Sequence, residues 1–112
     1  MDILFKNDKL AKEFNDERAL LRNRGQRQGK LIMLRLAELR AAGALAIMRA
    51  VPRARCHELK GDRKRELSVD LDHPYRLIFV PEHDPIPTLP DGGLDWNKVT
   101  RIKILGVEDT HE

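Results

Sequence analysis

The chain has one cysteine, Cys56, so no internal disulfide can form, and a cytoplasmic, reducing setting is the expectation. No run of about 18 uncharged apolar residues occurs, which excludes a membrane-spanning helix at the level of sequence. The start, "MDILFKNDKL", is acidic at residue 2 and has neither the cationic leader nor the apolar stretch of a secretory signal. Cys56 and the four histidines form neither C-x-x-C nor H-E-x-x-H spacing, so no metal site is expected. The only paired glycines, in "DGG" at 91–93, follow no strand and open no helix, so there is no phosphate-cradling loop.

What is present begins with charge. The 112 residues carry a net +3, which conceals a division. Residues 1–65 hold 17 Lys/Arg against 8 Asp/Glu, whereas residues 66–112 hold 4 against 10. A basic half of this kind suits a nucleic-acid partner, although solvated helix faces also carry such charge. The length predicts one domain, 1–112.

Periodicity predicts a short first strand at "DILF". A helix capped by Asn7 or Asp8 follows, with Leu10, Phe14 and Leu21 on one side, and breaks at Gly25. A second helix places Leu31, Leu34, Leu39 and Ala42 inward, widened by Ile32 and Leu36, with Arg35, Glu38 and Arg40 on its polar face. After Pro52 the period becomes two. "RCHEL", "ELSVDL", "YRLIFV" and "TRIKILGVEDTHE" read as strands, and the proline-rich 81–99 reads as a long loop. The order β-α-α-β-β-β-β predicts an α+β domain, a small sheet packed against an N-terminal helical hairpin.

The chemistry-bearing residues gather late. His57 and Lys60 precede the Gly61 turn, Arg63, Lys64 and Arg65 follow it, and Arg76 opens the central strand. An extended last strand would put Arg101, Lys103, Leu105, Val107, Asp109 and His111 on one face, pairing a carboxylate with an imidazole. Cations suit a phosphate whose charge grows during transfer, and two histidines can move protons. Such a set would serve a metal-free ribonuclease, but the residue types alone do not single that activity out.

"CHELKGDRKRELSVDLDHPYRLIF", continued by "VEDTHE", resembles the host-inhibition (HigB-type) toxins of toxin–antitoxin modules, in the wider RelE/ParE superfamily. The resemblance spans essentially the whole chain: H-x-L-K-G-D, an aromatic-Arg strand start and a terminal E-D-x-H. It implies a RelE-like fold and a ribosome-dependent mRNA endoribonuclease that halts translation and growth. It also implies no cofactor or metal, and a cognate helix-turn-helix antitoxin as partner beside the ribosome and mRNA. Carried over by motif, His57, Asp109 and His111 are catalytic, while Lys60 and Arg76 bind substrate. Arg63, Lys64 and Arg65 are expected to grip RNA phosphates. Two alternatives are a gyrase-poisoning toxin of the ParE branch, which would not need these histidines, and an inactive member that only binds antitoxin. Thr110 stands where the family usually has Tyr, and the 81–99 loop is longer than in the shortest members.

Overall fold

A computed structural model describes residues 1–110. Strand β1 (Asp2–Phe5) leads into helices α1 (Asp8–Phe14), α2 (Glu17–Arg24) and α3 (Gln26–Ala41), then a 3-10 turn (Leu45–Ala50). Strands β2 (His57–Glu58), β3 (Leu67–Asp70), β4 (Tyr75–Pro81) and β5 (Arg101–Asp109) complete the chain. The five strands form one sheet in the order β1-β5-β4-β3-β2, with β1 parallel to β5 and the other pairs antiparallel. The expected α+β class therefore holds.

The single helix expected before Gly25 is two. Asn15 and Asp16 interrupt it, and the Asp16 carboxylate caps α2 by accepting from Ala19 N at 3.3 Å. Short polar side chains compete with helix hydrogen bonds in this way. Gly25 then joins α2 to α3 with φ +86, a conformation that favours glycine.

One face of the sheet is covered. Leu10, Phe14, Leu20, Ile32, Leu36 and Leu39 from the helices meet Leu67, Val69, Leu77, Phe79, Ile102 and Ile104 from the strands in a single core. The inward stripe of α3 differs from the expected one: Leu34 is 48% exposed, and Arg35 is buried. Arg35 lies on the Ile32–Leu36–Leu39 side, where it meets two backbone carbonyls, one in β3 and one in the turn before β2. It donates to Asp70 O at 2.7 Å and Arg53 O at 3.0 Å, and pairs with Glu38 at 2.9 Å.

The long loop is structural. Leu94, Trp96 and Val99 enter the core. The indole N–H of Trp96 donates to Glu58 at 3.1 Å, and the Arg49 guanidinium lies 4.1 Å from its ring centre. Among the described residues, no helix is long and apolar enough to cross a membrane.

Candidate active site

The other face of the sheet carries the polar residues. Strand register aligns Asp70, Arg76 and Glu108 in one row and His57, Ser68, Ile78 and Gly106 in the adjacent one. Directly opposed residues project to the same side, so these two rows share a face. Ser68 and Ile78 are fully buried yet lie outside the helix-side core, as this placement requires.

Arg76 is 8% exposed, with its Nε 3.5 Å from Asp70 Oδ1. The other Asp70 oxygen accepts from Arg55 Nη1 at 3.1 Å, and its backbone carbonyl is held by Arg35. Asp70 thus links the helix layer to two arginines at the end of the sheet. His57 follows from the same loop. Its Nδ1 lies 2.8 Å from Arg55 O. A carbonyl can only accept, so Nδ1 carries the hydrogen; in the neutral ring this leaves Nε2 as the acceptor. A cleft of about 420 Å³ opens beside it, lined by Arg55, Cys56, His57 and Lys60. Burial pushes the Cys56 thiol up to about 12 against an opposing pull from Arg49, so it is protonated and unsuited to nucleophilic attack.

The cationic turn at 60–65 is folded by Gly61 (φ 73) and Arg65 (φ 69). Its charges have separate fates. Arg63 donates from Nε and Nη2 to Glu66 Oε1 at 3.0 and 2.6 Å, and from Nη2 to Glu108 Oε2 at 2.8 Å. Glu108, and then Glu66, hold its pKa above the ordinary arginine value. Arg65 turns away to Gly92 O at 3.0 Å, whereas Lys60 and Lys64 are exposed.

The last strand requires a correction. A bulge places Ile78 opposite Gly106 but Phe79 opposite Ile104, leaving Leu105 as the extra residue. Gly106, at φ 145, takes the backbone through it. The alternation therefore changes phase. Arg101 and Lys103 stay on the Arg76 side, but Val107 and Asp109 move to the other, where Asp109 stands opposite Tyr75. The carboxylate on Arg76's side is Glu108. Thr110, just past the end of β5, is half-buried, its Oγ without a hydrogen-bond partner among the described residues. His111 lies outside the described residues.

His57 and Arg76 thus share a face, with β3 and β4 lying between β2 and β5. Three interstrand steps separate His57 from β5, about 14 Å at the usual spacing. Asp70, Arg55 and Glu108 escaped sequence reasoning because their roles depend on pairing. One signal was available for Glu108: Gly106 inside a strand marks a bulge.

A second cleft, about 440 Å³, lies towards the far end of β5 and is lined by Asp2, Glu82, His83, Asp84, Thr100 and Arg101. There His83 Nε2 accepts from the backbone N–H groups of Thr100 and Arg101 at 3.1 and 3.3 Å, a structural use. Among the described residues no group of three His, Cys, Asp or Glu could hold a metal ion. Comparison with family models, curated proteins and solved structures returned no match for this chain.

Proposed function

We propose that this chain is a RelE-like toxin of the host-inhibition type, a ribosome-dependent endoribonuclease that cleaves mRNA and stops translation. The observation that carries this reading is that His57 and Arg76 lie on one sheet face, which Arg63 of the cationic turn reaches through Glu108. Metal ions are not required in the scheme. A base removes the ribose 2′-OH proton, and the oxygen attacks the adjacent 3′-phosphate. The phosphorus–5′-oxygen bond breaks, and an acid protonates the departing oxygen, leaving a 2′,3′-cyclic phosphate and a 5′-hydroxyl. His57 is assigned to proton transfer through Nε2. Arg76, oriented by Asp70, meets the charge that grows on the phosphoryl oxygens, and Lys60 at the cleft rim assists it. His111 is assigned the second proton transfer, and Asp109 faces away from Arg76 and takes no part. Lys64 contacts flanking phosphates, while Arg65 stays bonded to Gly92 O.

Induction of the chain in a bacterium tests this reading. Growth should stop, with new mRNA ends mapping within codons. Intact messages accompanied by double-strand DNA breaks would instead indicate gyrase poisoning. One observation favours a second reading, an antitoxin-binding member without activity: Asp109 lies on the opposite side of the sheet from Arg76. Normal growth on induction, with a helix-turn-helix protein from the adjacent gene still bound, would establish it.

A further inference from the structure

Arg63 is held by two carboxylates, Glu66 just before β3 and Glu108 in β5. By alternation Glu66 shares the side of Ser68 and Asp70, and Glu108 shares the side of Gly106 and Arg76. Both accept from Nη2, so the guanidinium lies across the face, over the row that contains Ser68 and Ile78. The 60–65 turn is therefore strapped over the surface where Arg76 lies.

The two partners hold Arg63 by different geometry, although Glu108 does more than Glu66 to raise its pKa. Glu66 receives two donors of the fork, at 3.0 and 2.6 Å, and sits three residues away in the same turn. Glu108 receives one, at 2.8 Å, from a strand 45 residues away, and its side chain is 45% exposed. Solvated pairs of this kind are weak and exchangeable. A guanidinium fork fits phosphate as well as carboxylate. Glu108 also stands directly opposite Arg76 in register, so a phosphate approaching Arg76 meets its negative charge.

We infer that Glu108 acts as an internal stand-in for RNA: it occupies Arg63 in the free protein, and a substrate phosphate takes its place while Glu66 keeps Arg63 in position. This deepens the nuclease reading and rests on it. Glu108 is a positioning residue. It keeps the face close to charge balance until a polyanion arrives, which disfavours ligands that offer too few phosphates to displace it.

The test is a double-mutant cycle read in binding. The probe is a ribosome programmed with mRNA that is 2′-O-methylated through the decoding-site codon and so cannot be cleaved. Glu108→Gln should tighten binding about two- to fivefold, the range of a surface ion pair. Arg63→Ala should weaken binding and lower the slope of log K against log salt by about 0.7, one single-strand phosphate contact. In the Arg63→Ala background, Glu108→Gln should keep only the smaller gain that comes from removing a charge opposite Arg76, with melting temperatures matched throughout. A gain of equal size without Arg63 would reduce Glu108 to a general repulsive charge and overturn the inference. An unchanged affinity and slope in Arg63→Ala would make Arg63 a structural strut and overturn it equally. Cleavage of the unmethylated message by the wild type tests the nuclease reading separately. Binding without cleavage would end that reading while the cycle still decides the exchange; neither binding nor cleavage would end both.

Discussion

Replacing Arg35 by Met probes the link between the helix layer and the candidate site. The side chain is 6% exposed, and three donors leave it, two of them to the backbone carbonyls of Asp70 and Arg53. Methionine fills much of the aliphatic volume, which keeps any cavity contribution small. What remains are two carbonyls from which the donor has been removed. Each such group costs about 1–3 kcal/mol. Partial entry of water reduces the sum, so a loss of about 2–4 kcal/mol is expected. For a domain of this size that corresponds to a fall in melting temperature of roughly 8–16 °C. Glu38 adds little, because its side chain remains partly exposed to water. Urea titration followed by circular dichroism measures the effect, and Arg35→Lys, which reaches only one acceptor, should fall between the two. Since Asp70 orients Arg76, cleavage at a temperature where the Met variant is fully folded should also drop. A stability within about 0.5 kcal/mol of wild type would refute the reasoning, because it would mean that both carbonyls are satisfied without Arg35.

Arg76→Lys should keep the pairing with Asp70 and lose the preorganised fork, lowering single-turnover cleavage by roughly a hundredfold with little change in melting temperature. Arg76→Ala should also destabilise the fold, since it strips Asp70 of a partner; unchanged melting would contradict this. Thr110→Tyr should raise cleavage about five- to hundredfold, because the bulge puts Glu108, two residues earlier, on Arg76's side and a stacked base contributes ~1–3 kcal/mol. A ratio near one would show that the ring has no base to meet. With its pKa pushed up to about 12 by burial, Cys56 should alkylate with iodoacetamide at pH 8 at least about a hundredfold more slowly than after unfolding in urea. Equal rates would mean that the thiol is not shielded.

Much of the architecture was legible in local pattern. The alternation of Leu67, Val69 and Leu71, the apolar run of β4, and the glycine at 25 are each written in adjacent residues. The site was legible only in part. His57 and Arg76 stood out by type and place, but the partner of each was set by register. Arg35 reads as the polar side of an amphipathic helix until the backbone carbonyls it satisfies are known. The last strand shows the limit most clearly. A strict period of two assigned Asp109 to the cationic face, and one extra residue at Leu105 reversed every assignment after it, exchanging Asp109 for Glu108. The 81–99 segment lacks a period because its contributions are single anchors, above all Trp96, rather than a face.

The most direct measurement of the central claim is the chemistry of the RNA ends. Purified protein is incubated with programmed ribosomes in chelator-treated buffer containing only the magnesium that ribosomes need, and the cleaved message is analysed by mass. The account predicts cleavage at the decoding site giving a 2′,3′-cyclic phosphate and a 5′-hydroxyl, lost when the 2′-hydroxyl is methylated and strongly reduced in His57→Ala. Intact message, or fragments bearing a 5′-phosphate and a 3′-hydroxyl, would contradict it.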